Sequence, residues 1–524
     1  MTTESADGGP AQRIASGYAV EGQALELGTV VIDGTADPGA QIRIPLATVN
    51  RHGLVAGATG TGKTKTLQLI AEQLSAAGVP VLMADVKGDL SGLSRPGEAN
   101  DRTAARAKDT GDAWAATGFP VEFLSLGTDG LGVPIRATVA SFGPVLLSKV
   151  LSLNATQEST LGLIFHWAKE NNRSLVTLDQ LRTVISHLTG DEGKADLKSL
   201  GGVSSTTAGV ILRALVNLEG EGGDTFFGEP KLDPQDLLRV DNQGHGTISL
   251  LEFSGQSLRP VIFSTFLMWL LADLFDELPE VGDIDKPKLV FFFDEAHLLF
   301  TDASKAFLEQ VEQTVKLIRS KGVGVFFCTQ LPTDLPNDVL SQLGARIQHA
   351  LRAFTPDDQK ALSKTVRTYP KTDVYDLESA LTSLGIGEAV VTVLSEKGAP
   401  TPVAWTRMRV PRSLMGAIDT DEITKAAKDS PLQAKYGQTK QQPSEPEVPQ
   451  PPPPSPAAPP RGQFDPLPSY PDPYDIPPMP APAEPQGPAM WEEVLKNPTV
   501  KSGINTAIRE AVKSIFGTGR GRRK

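Results

Sequence analysis

Cysteine is almost absent from this 524-residue chain, with Cys328 the only one. That excludes a disulfide framework and fits a reducing cytoplasm. Histidine is scarce as well, six in all, and no Cys/His cluster has zinc-ligand spacing, so a zinc centre is excluded too. Positive charge is in deficit: 50 Lys and Arg against 62 Asp and Glu give a formal net charge of −12. Such a balance argues against a protein that coats nucleic acid by bulk charge, yet leaves room for a locally basic channel. Long apolar runs are missing. The most apolar stretch, PVIFSTFLMWLLADLF at 260–275, closes on Asp273 and Asp276 and falls short of the ~20 residues a bilayer span needs. It reads as a buried core helix, and no membrane insertion is expected. The N-terminus, MTTESADGGP, has neither the basic nor the apolar region of a secretory signal. A cytoplasmic location is the expectation.

What is present is a phosphate-binding pattern. In GLVAGATGTGKTKTLQLIAEQL, residues 53–74, a short apolar run enters a glycine-rich bend and leaves into helical periodicity. The spacing G-x-x-x-x-G-K-[ST] runs from Gly57 to Thr64 in a strand–loop–helix context. Glycines let successive N–H groups turn inward as an anion nest, and the following helix adds its positive end. Gly57, Ala58, Thr59, Gly60, Thr61, Gly62, Lys63 and Thr64, with Lys65 just beyond, are the expected nucleotide-binding residues. Lys63 would neutralise β- and γ-phosphate oxygens, and the Thr64 hydroxyl would ligate Mg²⁺.

Composition divides the chain. Residues 1–45 are short, Gly-punctuated and β-like; 46–139 alternate strand and helix patterns around the P-loop; 140–240 read as a mostly helical insertion. Strand patterns return over 241–415, and 416–440 form a connector. That order describes a three-layer α/β domain interrupted by helices. Over 441–488 the chain is Pro-rich with few aliphatic residues, the signature of a disordered spacer that could recruit a protein partner. Residues 489–524 carry a short amphipathic pattern ending in GRGRRK, which reads either as a solubilising terminus or as a tethered basic group that contacts DNA phosphates.

A second motif, KLVFFFDEAHLLF at 288–300, describes a buried parallel strand delivering Asp294 and Glu295 to its C-terminal edge. In an ATPase, Asp294 would hold the Mg²⁺ shell and Glu295 would polarise the attacking water. No N-K-x-D guanine-reading motif occurs, so ATP is the expected nucleotide. A third motif starts at Val323 with VGVFFCTQ, where Gln330 at the strand end could sense the γ-phosphate. Arg346 and Arg352 follow, each readable as an arginine finger acting in trans or as an ordinary surface arginine. Asp85, Lys87 and Asp89 in LMADVKGDL either help the Mg²⁺ shell or simply shape a turn; His52 and His297 read as packing residues.

Together, NRHGLVAGATGTGKT, ADVKGDLSGL, FFFDEAHLLF and CTQLPTDLPNDVLSQLGARI resemble the HerA-like branch of the HerA/FtsK ATPases over about residues 15–415. The resemblance implies a RecA-like P-loop NTPase core with a mainly parallel sheet. It also implies a homo-oligomeric, hexameric ring coupling ATP hydrolysis to movement along double-stranded DNA. Lys63, Thr64, Asp294, Glu295 and Gln330 take the same roles under it. The N-terminal segment is shorter than the β-barrel of archaeal HerA. Lys194, Lys198 and Arg213 are candidates for basic pore-facing residues. A protein-remodelling or conjugation-type ATPase, and a nucleotide-gated scaffold, are the alternative readings.

Overall fold

The computed structural model describes residues 9–438, except 86–87, 129, 192, 194–195, 197–201, 253–259, 283 and 302. Lys87, Lys194 and Lys198, the Pro-rich segment at 441–488 and the basic tail at 489–524 lie outside the described residues.

Twelve strands form one sheet: β1 (Ala24–Ile32), β2 (Thr35–Pro45), β3 (Gly53–Ala56), β4 (Val81–Asp85), β5 (Val121–Leu126), β6 (Val133–Ile135), β7 (Ile248–Glu252), β8 (Leu289–Phe293), β9 (Val323–Thr329), β10 (Ala345–Gln348), β11 (Glu388–Thr392) and β12 (Ala404–Met408). Their order is β2-β1-β12-β11-β10-β3-β9-β8-β4-β7-β5-β6. From β10 to β6 every neighbour pair is parallel. From β10 outward to β2 every pair is antiparallel. The expected mainly parallel α/β sheet is therefore present, with an antiparallel wing at one edge.

The wing is built from the two ends of the chain. Asp33 and Gly34 both take positive φ, so β1 and β2 close as a tight hairpin. β1 then pairs with β12, nearly 400 residues away in sequence (Gly28 opposite Met408). The first element among the described residues is not a strand but α1 (Pro10–Ser16), where proline occupies the first turn and no amide is sacrificed. The Tyr18 hydroxyl bonds the carbonyls of Val391 and Pro402, locking that helix onto the wing.

Both faces of the parallel block are covered, as strand alternation requires. Leu54, Leu82, Ala84, Phe291 and Phe293 face one core. Val55, Val81, Met83, Val290 and Phe292 face the other. The second core is closed by α2 (Lys63–Ala76) and flanked by α3 (Asp101–Thr110). The first is closed by α4 (Val139–Val150), α5 (Ala155–Glu170), α6 (Leu178–Thr189), α7 (Ser205–Gly220), α8 (Pro260–Glu277) and α10 (Lys305–Ile318), with α9 (His297–Phe300) a single turn between them. α4 to α7 each start on a side-chain cap: Thr138, Asn154, Thr177 and Ser204. The apolar run at 260–275 is buried as α8: Phe266, Leu267, Met268, Trp269, Leu270 and Leu271 are all inaccessible. No described helix is long and apolar enough to cross a membrane.

Short α11 (Asn337–Leu340), then α12 (Pro356–Val366) and α13 (Leu377–Ser383), lie between β9 and β11. The last two have their own small core of Leu351, Leu362, Tyr369, Leu377 and Leu381. Two further helices follow β12, α14 (Thr420–Asp429) and α15 (Pro431–Tyr436). Lys435 pairs with Asp233 and Asp236, while the buried Arg136 donates to the Tyr436 carbonyl.

Candidate functional site

Three adjacent parallel strands, β3, β9 and β8, end at the same edge of the sheet. Ala56 stands opposite Thr329, and Phe293 opposite Phe327. The glycine-rich loop, Gln330 and the Asp294–Glu295 pair therefore emerge side by side, at the carboxyl strand ends where open parallel sheets form their binding crevices.

The loop leaves β3 through Gly57, whose φ is +151°. A Cβ there would stand 2.6 Å from the Cβ of His349, so glycine is required by approach as well as by conformation. Its N–H donates to the carbonyls of Thr329 and Gln330 at 3.3 and 3.1 Å. Gly62 (φ +115°) then turns the chain into α2, putting Lys63 and Thr64 in the first helical turn. The Lys63 ammonium donates to the carbonyls of Gly57 (2.7 Å) and Ala58 (3.3 Å) across the mouth of the loop. Thr61 Oγ1 bonds the Ala58 carbonyl at 2.7 Å, which tightens the same bend. A phosphate entering the cradle would take over the ammonium from those carbonyls.

Lys65 is rotated one helical step away. Its ammonium donates to Gln68 Oε1 (3.0 Å) and faces the Asp89 carbonyl (3.5 Å), and burial lowers its pKa. Asp85, buried at the end of β4, accepts the N–H groups of Asp89 and Leu90 at 3.1 and 2.8 Å. Its carboxylate shapes that turn.

At the end of β8, whose five residues are all buried, Asp294 Oδ1 accepts the N–H of Glu295 at 2.9 Å. Glu295 has φ +47°, an uncommon conformation for a side-chain-bearing residue and one that clusters at functional positions. Ala296 N–H then ties the bend to the Cys328 carbonyl on β9 at 2.8 Å. Burial pushes the Cys328 thiol well above its ordinary value, and Asp294, Lys63 and Glu295 are the charges around it. The cation of the loop and the two carboxylates thus share one neighbourhood.

His297, expected to pack behind the strand, is instead partly exposed, with Nδ1 3.5 Å from Glu295 Oε2. It lines a cavity of about 410 Å³ with Phe300, Thr301, Gln330, Leu331 and Asp334. Gln330 is exposed there. Asp334 holds the turn beneath it, accepting from Thr329 Oγ1 (2.7 Å) and Leu331 N–H (2.9 Å). Helices α4 and α5 reach the same segment: Lys149 donates to the Thr301 carbonyl, and Ser304 donates to Glu158 at 2.7 Å. Arg213 is exposed on α7.

His349 was not singled out by the sequence, yet it braces the loop. It is fully buried at the end of β10, with Nε2 2.9 Å from Thr66 Oγ1 on α2 and Nδ1 2.9 Å from the Glu388 carbonyl. A carbonyl only accepts, so Nδ1 carries the proton and Nε2 accepts from threonine. Burial lowers its pKa to about 4. His52 is also buried, accepting Val325 N–H at Nδ1 (3.0 Å), and burial lowers its pKa to about 4 as well. Both must be neutral to fold, so stability is fully present above about pH 6.5 and lost as pH falls toward 4, by at most about 3 kcal/mol per histidine. Glu72 on α2 opposes this: burial raises its pKa to about 7, so its contribution is largest at low pH and lost as pH rises through about 7. Two histidines outweigh one glutamate. The melting temperature should fall from pH 7 to 4, and His349→Gln should flatten that fall measurably.

The two arginines part company. Arg346, on β10, donates to the carbonyls of Thr368 (2.7 Å) and Leu340 (3.4 Å). Arg352 is exposed, with Nη2 3.4 Å from the Thr59 carbonyl of the glycine loop.

A metal held here would need few protein ligands, because Mg²⁺ keeps most of its water and the substrate's phosphates. Thr64 in the first turn of α2 and Asp294 at the end of β8 fit that requirement. Among the described residues no group of three or more metal-ligating side chains gathers anywhere.

The family described as Helicase HerA-like C-terminal matches residues 31–524. The chain belongs to the HerA-like family. No curated protein matches this HerA-like chain. In fold it is similar to the bacterial conjugative coupling protein TrwBdeltaN70 in complex with sulphate, at 16% identity, over 78% of this chain and 94% of that one, TM-score 0.50. Plasmid coupling protein TrwB in complex with ADP and Mg²⁺ is 16% identical over 76% and 99% of the two chains, TM-score 0.48. VirB4 of Thermoanaerobacter pseudethanolicus is 13% identical over 74% and 97%, TM-score 0.44.

Proposed function

We propose that this HerA-like protein is an ATP-hydrolysing motor that acts on double-stranded DNA as a homo-oligomeric, six-membered ring. One observation carries the hydrolysis: the glycine loop with Lys63, the Asp294–Glu295 bend and Gln330 leave three neighbouring parallel strands at one edge. In that arrangement the loop amides and Lys63 bind the β- and γ-phosphates, and Glu295 accepts a proton from water as its oxygen bonds the γ-phosphorus. The γ-phosphorus–oxygen bond to the β-phosphate breaks, releasing ADP and phosphate. Mg²⁺, when held by Thr64 and Asp294, supplies charge neutralisation at the phosphates. Gln330 orients the water in this reading. Family membership supports the DNA substrate, and the connection of α4 and α5 to Thr301 and Ser304 gives hydrolysis a route to the helical insertion.

Phosphate release measured with and without linear duplex DNA, at low and moderate salt, tests the reading. Stimulation of about tenfold or more by duplex, declining as salt rises, is expected. A rate indifferent to duplex at low salt would favour a protein-remodelling ATPase or a nucleotide-gated scaffold instead.

A further inference from the structure

Beyond the end of β10 the chain does not leave the glycine loop. His349 N–H donates to the Ala56 carbonyl at 2.7 Å, and Ala58 N–H donates to the Ala350 carbonyl at 2.9 Å. The parallel pairing of β10 with β3 is thus continued into the loop itself. Arg352 comes next on that path, and its guanidinium reaches the carbonyl of Thr59 at the outer bend.

The backbone on either side of Arg352 is fixed. Leu351 is buried in the small core of α12 and α13, and its N–H donates to the Leu381 carbonyl at 2.8 Å. Phe354 and Thr355 give their N–H groups to Asp358 Oδ2 at 3.1 and 2.9 Å. The side chain between these anchors is exposed, and among the described residues its contact is the one to the Thr59 carbonyl, with no ion pair. Arg346, by contrast, already spends two donors on carbonyls away from the loop. An arginine with five donors and one long contact, held at the rim of an anion nest, is arranged for an incoming anion.

The geometry points to Arg352 as a contact to the terminal phosphate of the nucleotide bound by its own chain, a cation acting in cis and not a finger offered to a neighbouring subunit. The inference rests on the nucleotide-site reading and deepens it. Lys63 serves the phosphates from the helix side of the cradle, and Arg352 closes it from the β10 side. A nucleoside triphosphate engages both cations, whereas a diphosphate leaves Arg352 on the Thr59 carbonyl. Arg352 is therefore the element that separates ATP from ADP.

Two measurements on the full chain test this. In the first, affinities for a fluorescent non-hydrolysable ATP analogue and for fluorescent ADP are compared between parent, Arg352→Ala and Arg352→Lys. Arg352→Ala should weaken the triphosphate analogue about tenfold or more and leave ADP within about twofold, with lysine restoring part of the loss. Equal weakening of both nucleotides would mean that Arg352 merely braces the loop, and no weakening would remove its phosphate role; either result overturns the inference. A parent chain that binds neither nucleotide would overturn the nucleotide-site reading itself, so the two failures are distinct. In the second, Arg352→Ala is mixed with Glu295→Gln and phosphate release is followed. A cis arginine gives mixtures no faster than the sum of their parts, because no site regains both groups. Rescue above that sum would place Arg352 in trans and contradict the inference.

Discussion

Glu295→Gln is expected to bind ATP as the parent does and to hydrolyse it ~100-fold or more slowly. The substitution preserves size and hydrogen-bonding reach but removes the proton acceptor, so the loss falls on the chemical step, about 2.7 kcal/mol or more of barrier. The positive φ at Glu295 is untouched by it, because glutamine has the same backbone demands. Single-turnover phosphate release separates the two effects: normal binding with a slowed chemical phase is the expected pattern. Turnover at the parental rate would remove Glu295 from the role of base.

Lys63→Ala should act one step earlier, weakening ATP affinity by ~100-fold, because the loop loses its principal cation at the β- and γ-phosphates. Lys63 donates to the Gly57 and Ala58 carbonyls at the half-buried mouth of the loop, so the melting temperature should move little. Titration with a fluorescent ATP analogue checks the first point and a thermal melt the second. Near-parental affinity would mean that the loop amides alone hold the nucleotide.

Why some of this was legible in the sequence follows from where each contact is made. Phosphate binding needs amides, a lysine and a hydroxyl within one turn of chain, so Gly57 to Thr64 carry the whole pattern at fixed spacing. The Walker-type strand is local in the same sense: five buried residues must precede the Asp294–Glu295 bend. The alternating strand and helix patterns around these two motifs likewise gave the parallel block. His349 has no such local signature. Its partners, Thr66 and the Glu388 carbonyl, lie 283 and 39 residues away, and only the pairing of β10 with β3 on one side and with β11 on the other brings them together. Asp334 is a sharper case, because Thr329 and Leu331 are its near neighbours; the acid five residues beyond the strand end was a readable turn signal. Lys65 stands beside the motif but faces Gln68 and Asp89, since each helical residue turns the side-chain direction by about 100°. The antiparallel wing was equally invisible: β1 meets β12 across almost the entire chain, and nothing in either strand names its partner.

The motor reading is tested most directly by displacement of a third-strand oligonucleotide from duplex DNA, followed in the presence of ATP with parent and Glu295→Gln protein side by side. The parent should strip the third strand in an ATP-dependent way, and Glu295→Gln, although it binds ATP and DNA, should leave it in place. A parent chain that hydrolyses ATP at its full rate on the same duplex, yet displaces no more third strand than Glu295→Gln, would contradict movement along DNA.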